Sequence, residues 1–73
     1  MSLNKFTTAV LEPEVRDGKF YPAFDIYDED GVNWFGAVSG FGFPTREDAI
    51  AAPRRAEKTM QETGKLPNMC EEF

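Results

Sequence analysis

The first two-thirds of the chain form three strand-like runs of apolar and polar residues, separated by Asp-Gly pairs. The runs cover residues 5–15, 19–28 and 32–43, and the pairs between them are Asp17-Gly18 and Asp30-Gly31. An Asp-Gly pair between apolar runs is the strongest short-range signal for a β-hairpin. The pattern therefore predicts three consecutive antiparallel strands. The first is expected at an edge of the sheet, because Pro13 cannot donate to a hydrogen-bond ladder.

A helix signal follows the third run. Thr45 is the predicted N-cap, and Glu47 and Asp48 lie in the first turn, where carboxylates stabilise the positive end of the helix dipole. Gly64 predicts the end of the helix, because glycine readily adopts the left-handed cap conformation. Pro53 falls inside, where a proline removes one backbone donor and costs ~3 kcal/mol. The helix therefore either kinks at Pro53 or divides into two pieces there, and we favour one kinked helix.

These elements predict an α+β fold, a three-stranded antiparallel sheet in β-β-β-α order with one C-terminal helix packed on one face. A chain of 73 residues holds a single domain. We expect this domain to cover residues 1–64 and residues 65–73 to form a flexible tail.

Hairpin loops of two residues at both Asp-Gly pairs would fix which residues lie opposite each other and sort the strand side chains onto two faces. The predicted pairs of the first hairpin are Val15 with Phe20, Leu11 with Phe24 and Ala9 with Ile26. Those of the second hairpin are Tyr27 with Trp34, Ile26 with Phe35, Phe24 with Ala37 and Phe20 with Phe41. The predicted core face holds Ala9, Leu11, Val15, Phe20, Phe24, Ile26, Phe35, Ala37, Phe41 and Phe43. The matching helix stripe holds Ala49, Ile50, Ala52, Pro53, Ala56 and Met60. The opposite face of the sheet holds Phe6, Thr8, Val10, Glu12, Glu14, Tyr21, Ala23, Asp25, Tyr27, Trp34, Gly36 and Val38. A loop of three residues at the second turn would instead bring Trp34 into the core.

One helix covers only one side of a sheet, so aromatic rings on the opposite face would stay exposed among carboxylates. Trp and Tyr are enriched at protein interfaces, where they bury a large area at a low cost in rotamer entropy. The sequence therefore predicts a partner-binding face that consists of Tyr21, Tyr27, Trp34, Glu12, Glu14 and Asp25. The alternative is that Tyr27 and Trp34 form a cross-strand pair that only stabilises the hairpin.

The charge of the chain bears on its partners. Thirteen acidic and eight basic residues give a net charge of −5. Because lysine and arginine drive binding to phosphate backbones and to anionic lipids, we expect neither a nucleic acid nor a membrane as the partner of the sheet. Arg54, Arg55 and Lys58 form a basic cluster on the predicted helix; this cluster is either a solvated side or a nucleic-acid contact.

The chain lacks one residue type on which many catalytic and metal sites depend. It has no histidine, which is the usual general base and a frequent zinc ligand. The run from Asp25 to Asn33 resembles a fragment of a calcium loop, but it lacks the downstream glutamate, and turn chemistry alone explains it. A domain this small also leaves little room for a cleft of ~300 Å³. We expect a non-enzymatic protein with no metal and no cofactor.

Cys70 is the single cysteine, so no disulfide forms within the chain, and a reduced thiol is typical of the cytosol. The N-terminal residues lack the apolar segment of a signal peptide, and no stretch approaches the ~20 apolar residues of a membrane span. We therefore expect a cytoplasmic protein.

From residue 32 to residue 64 the chain resembles short uncharacterised bacterial and phage proteins. The resemblance lies in an aromatic strand containing Trp34, followed by the sequence Phe43-Pro44-Thr45-Arg46-Glu47-Asp48-Ala49, which opens a helix. The layout is also similar to that of phage-integrase arm-binding domains and AP2-type domains, which have three strands followed by a helix. Those families read DNA with basic and aromatic residues on the sheet. Glu12, Glu14 and Asp25 stand on that side here, so the resemblance implies the fold and no site residue.

These observations favour a small protein-interaction module, acting either as a homodimer or on a basic protein partner. Two alternatives remain at this point. One is a phage-type nucleic-acid mimic whose carboxylates stand in for phosphates on a DNA-binding protein. The other is a nucleic-acid binder that works through the basic cluster of the helix.

Overall fold

The structure, a computed structural model, describes residues 2–73. Three antiparallel strands form one open sheet in the order β1-β2-β3, and a single helix follows them. The strands are β1 (Thr7–Arg16), β2 (Lys19–Tyr27) and β3 (Asn33–Val38), and the helix is α1 (Arg46–Thr63). The predicted α+β fold in β-β-β-α order is confirmed.

The first hairpin has the predicted loop of two residues. Arg16 pairs with Lys19, and between them Asp17 and Gly18 have φ angles of 51° and 76°. Positive φ at both loop residues is the requirement of the type I′ turn, which matches the twist of the flanking strands. Asparagine, aspartate and glycine tolerate this conformation best, which is why the Asp-Gly signal was reliable at this turn.

The pairing of β1 with β2 shifts by one residue around Pro13. Beyond this bulge Leu11 pairs with Ala23, and Thr8 pairs with Ile26. Proline has no N–H for the ladder, and a bulge is one of the few places where a strand accepts it. Because a shift of one residue turns every side chain to the other face, the N-terminal half of β1 is inverted relative to the prediction. Two predicted pairs are therefore wrong, namely Leu11 with Phe24 and Ala9 with Ile26.

The second hairpin has a loop of three residues, 29–31, instead of two. The Asp28 N–H donates to the carbonyl oxygen of Val32 at 2.9 Å, and Gly31 has a φ angle of 79°. The Asp28 carboxylate also accepts hydrogen bonds from the N–H groups of Asp30 at 2.9 Å and Val32 at 3.0 Å. This carboxylate therefore organises the turn, as the turn interpretation of the acidic run predicts.

A bulge at Trp34 then restores the predicted register of β3. Tyr27 pairs with Asn33 and not with Trp34, so the predicted cross-strand pair is wrong. Beyond the bulge, Phe35 pairs with Ile26 as predicted. Farther along the chain, Phe20 pairs with Phe43 in an isolated bridge, where the prediction placed Phe41.

The helix packs on β1 and β2, and the core lies between them. Phe24 and Ile26 of β2 are fully buried, together with Ala56 and Met60 of α1. The predicted helix stripe is confirmed at its buried positions, which are Ala49, Ala52, Pro53, Ala56 and Met60. Phe6 and Thr8 are also buried, which corrects their predicted place on the exposed side of the sheet. Val15, predicted in the core, is 62% exposed.

Both predicted helix caps are confirmed. The hydroxyl of Thr45 accepts a hydrogen bond from the Asp48 N–H at 3.2 Å. Gly64 has a φ angle of 76°, and its N–H donates to the carbonyl oxygen of Met60 at 2.8 Å. The helix runs through Pro53 as one element, so the division into two pieces does not occur.

Residues 65–73 lie against the domain. Met69 accepts hydrogen bonds from the Gly40 N–H at 2.7 Å and from the Ser39 hydroxyl at 3.1 Å. The Arg55 side chain donates to the carbonyl oxygen of Phe73 at 2.8 Å. The partly buried side chains that reach the core from this segment are those of Leu66, Met69 and Phe73. The flexibility of the segment stays a prediction, and these contacts argue against it.

Candidate functional site: the open face of the sheet

The side of the sheet that faces away from α1 is the candidate site. Phe24 and Ile26 point to the helix, so the alternate residues of β2 point the other way. Residues directly opposite each other on antiparallel strands share a face, which assigns their partners on β1 and β3 to the same side. We call this surface the open face; it comprises Thr7, Ala9, Leu11, Glu14, Arg16, Lys19, Tyr21, Ala23, Asp25, Tyr27, Asn33, Gly36 and Val38.

The centre of the open face is an apolar row that crosses all three strands. Leu11 of β1 and Val38 of β3 both pair with Ala23 of β2. The outer two side chains are 43% and 44% exposed, whereas Ala23 between them is only 6% exposed. The row therefore presents two aliphatic side chains to solvent and has no polar group of its own.

Two tyrosines lie on either side of this row along β2. The ring of Tyr21 lies under the Arg16 guanidinium, whose central carbon is 4.0 Å from the ring centroid. Arg16 also lies 3.8 Å from the carboxylate of Glu14. A cation over a ring near the protein surface contributes about 0.5–1 kcal/mol, so this contact helps to orient the ring of Tyr21, which is partly buried. Tyr27 lies at the far end of β2 and is partly buried.

The structure brings four of the six predicted site residues onto the open face, namely Glu14, Tyr21, Asp25 and Tyr27. Glu12 lies elsewhere, because it falls within the bulge between Leu11 and Glu14 and its side chain reaches the start of the helix. Its carboxylate accepts two hydrogen bonds from Arg46, at 2.6 Å from Nε and 2.7 Å from Nη2. These hydrogen bonds lower the pKa of Glu12 below its ordinary value of 4.5, against a smaller opposing effect of desolvation.

Trp34 is the second predicted site residue that lies off the open face. Its ring packs edge-to-face on Phe6, with 5.1 Å between the centroids, and on Phe35, with 4.7 Å. Phe6 belongs to the buried cluster under the helix, so Trp34 lies at the rim of the core and remains 44% exposed. The prediction placed Trp34 on the side of the sheet opposite the helix; the loop of three residues and the bulge that follows it turn the side chain towards the core instead.

Sequence reasoning missed the role of Leu11, which it assigned to the core, and did not single out Val38. Two signals pointed to the observed register. Pro13 marks a strand position that cannot continue a ladder, so a bulge was available there. The second signal lies in the four-residue turn 28–31, which begins with Asp28 and ends with Gly31. Aspartate at the first position and glycine at the fourth are typical of a type I turn, and this turn type suits a hairpin loop of three residues.

The basic cluster on the helix is engaged within the chain. Arg54 donates to the carbonyl oxygen of Thr8 at 3.0 Å, and Arg55 donates to Phe73. Lys58 lies 3.9 Å from Glu62 in an exposed pair. Two of the three cations are thus held against backbone carbonyl groups of the domain.

Two further features of residues 2–73 concern ligands and membranes. No group of three acidic, cysteine or histidine side chains in this part of the chain comes together as a metal site. The helix of this region is too polar to span a bilayer.

Comparison with family models, with curated proteins and with solved structures finds no match for this chain.

Proposed function

We propose that this chain is a small, non-enzymatic protein-interaction module that binds a protein partner through the open face. The observation that carries this proposal is the exposed apolar row of Leu11, Ala23 and Val38 on the side of the sheet that the helix leaves uncovered. Burial of apolar area is worth roughly 25 cal/mol per Å², so a partner that covers the row gains affinity there. The flanking tyrosines suit an interface, because their rings are apolar and their hydroxyl groups reach a polar rim.

The charges of the face indicate the kind of partner. Glu12 is paired with Arg46 away from the face, and Glu14 is paired with Arg16 on it. Asp25 has no ion-pair partner among the described residues, so it is the carboxylate available to a partner's cation or hydrogen-bond donor. Arg16 and Lys19 also lie on this face. The surface therefore suits a protein that brings an apolar patch with one cationic group near Asp25, and suits a broadly basic protein less well.

The two alternatives gain less support from the geometry. A nucleic-acid mimic needs carboxylates that are free to replace phosphates, but two of the three predicted ones are bound to arginines of the same chain. A nucleic-acid binder needs free cations, but Arg54 and Arg55 of the helix cluster donate hydrogen bonds to other residues of the same chain.

Substitutions on β1 test the proposal. Leu11→Asp places a charge on the open face, whereas Val15→Asp places the same charge on an exposed position that pairs with Phe20 and so faces the other side. Both tagged variants and the wild type are used to capture proteins from the source cell, and circular dichroism checks that each variant is folded. We expect Leu11→Asp to lose the captured partner and Val15→Asp to keep it. Equal capture by the two variants would contradict the proposal.

A further inference from the structure

The outer edge of β3 carries backbone groups that no other part of the chain uses. The Ser39 N–H donates to the carbonyl oxygen of Pro22 at 2.8 Å, which sets the phase of hydrogen bonding between β2 and β3. Along antiparallel strands, residue pairs that are joined by backbone hydrogen bonds alternate with pairs that are not. The N–H and C=O groups of Ala37 therefore point towards β2, whereas those of Gly36 and Val38 point away from it. Among the hydrogen bonds of residues 2–73, none satisfies the N–H or C=O groups of Gly36 and Val38.

The other edge of the sheet, on β1, is partly protected. On β1, the Thr8 N–H donates to the Glu57 carboxylate at 2.7 Å, and the Thr8 carbonyl oxygen accepts from Arg54 at 3.0 Å. Helix side chains therefore occupy the outward backbone groups of Thr8, which an added strand would need. Pro13 and the bulge around it interrupt the rest of this edge, and proteins commonly protect edge strands by such means.

The free part of the β3 edge is short and uncharged. It ends at Gly40, whose N–H is taken by Met69 of the C-terminal segment. Strand β3 itself, from Asn33 to Val38, has no charged side chain, although the chain as a whole carries a net charge of −5. Exposed edges usually carry charges that prevent pairing, and this edge lacks them.

We propose that two copies of this chain pair through their β3 edges, antiparallel about a two-fold axis at Ala37. In this register Gly36 of each copy lies opposite Val38 of the other, and each such pair exchanges both backbone hydrogen bonds. The edge is therefore complementary to itself, as a two-fold interface requires. Two copies that each carry a net charge of −5 repel each other least along this uncharged strand. Gly36 has no side chain to obstruct the approach of Val38 from the other copy.

The pairing extends the sheet across both copies and keeps their open faces on one side. The pairing uses the edge of β3 and not the open face, so a failed test of the dimer would leave the proposed function untouched, and the reverse also holds. Because the contact involves only a short stretch of backbone, we expect a weak dimer that forms as the protein concentration rises.

Amide nuclear magnetic resonance of the folded chain, recorded from about 10 µM to about 1 mM, tests the proposal together with sedimentation. We expect the amide signals of Gly36 and Val38 to move and to become protected from exchange as concentration rises, while the sedimenting mass increases above the monomer value of 8.2 kDa. A mass that stays at the monomer value at all concentrations would overturn the proposal. A dimer whose shifts fall on the open face or the helix would overturn it too.

A matched pair of variants separates backbone pairing from side-chain contact. The N–H that Val38→Pro removes points outward, so the substitution removes no hydrogen bond of the β2–β3 ladder. Val38→Ala keeps that N–H and removes the same side chain. We expect Val38→Pro to weaken dimerisation at least about tenfold and Val38→Ala to weaken it less.

The reverse order would contradict backbone pairing. If Val38→Pro does not fold, Val38→Lys places a charge on the edge and should weaken the dimer in a salt-dependent way; an unchanged dimer would overturn the proposal. Protection of Gly36 that appears only when an extended peptide of another sequence is added would assign the edge to a foreign strand and would also overturn it.

Discussion

At the residue scale, Glu57 connects the helix to the edge strand. Its carboxylate accepts hydrogen bonds from the Thr8 N–H at 2.7 Å and the Thr8 hydroxyl at 3.2 Å, and it lies 3.4 Å from Arg54. The side chain is only 20% exposed, so its removal leaves polar groups of Thr8 with poor access to water. We expect Glu57→Ala to lower the free energy of unfolding by about 1–3 kcal/mol, measured by urea denaturation.

The control for this change is Glu62→Ala, which removes the exposed partner of Lys58. Exposed ion pairs contribute roughly 0–1 kcal/mol, so this variant should remain close to the wild type. Equal losses of stability in the two variants would contradict the role assigned to Glu57.

Also at the residue scale, the Glu12–Arg46 pair predicts a pH dependence of stability. The hydrogen bonds from Arg46 lower the pKa of Glu12 in the folded state, so ionised Glu12 stabilises the fold above the unfolded pKa. This contribution disappears as the pH falls through the lower, folded pKa. We expect Glu12→Gln to be less stable than the wild type at pH 7 and the difference to narrow towards about pH 3, in denaturant unfolding at both pH values. A difference that grows on acidification would contradict this account.

At the element scale, the contacts of the C-terminal segment allow a test of its predicted flexibility. Residues 65–73 contain few apolar side chains, but Leu66, Met69 and Phe73 reach the core, and Met69 accepts hydrogen bonds from Ser39 and Gly40. Deletion of residues 66–73 should therefore lower the melting temperature, because burial of each large apolar side chain contributes roughly 1.5–3 kcal/mol when complete. A flexible tail would leave the melting temperature of the shortened chain unchanged.

The elements also show which parts of the fold can be predicted from sequence. Thr45 and Gly64 identified the helix ends because each meets a local conformational or hydrogen-bonding requirement. Asp17-Gly18 identified its turn for the same reason. The second Asp-Gly pair failed because it fits loops of two or three residues, and the prediction of two did not use the type I turn signature of Asp28 and Gly31, which favours three.

The candidate site could be predicted only in part for a related reason. Which side of the sheet a residue occupies depends on the count of residues along the strand, and one bulge reverses it. The bulge around Pro13 moved Leu11 from the expected core to the open face, and the bulge at Trp34 moved that ring to the rim of the core. Tyr21, Asp25 and Tyr27 lie on β2, which has no bulge of its own, and they remained on the predicted face.

At the scale of the whole molecule, the one helix of residues 2–73 packs on one side of the three-stranded sheet, and no second element covers the other side. Small domains bury a modest share of their surface, so an exposed apolar row is costly unless another molecule covers it. The open face combines such a row with two tyrosines and one free carboxylate. We therefore propose that another protein binds on this side of the sheet.

The most direct measurement of that claim is photo-crosslinking inside the source cell. A photoreactive amino acid replaces Leu11 on the open face in one variant and Val15, which faces the other side of the same strand, in the other. We predict a specific crosslinked protein adduct from position 11 and none from position 15. An adduct of equal strength from both positions, or from position 15 alone, would contradict the claim.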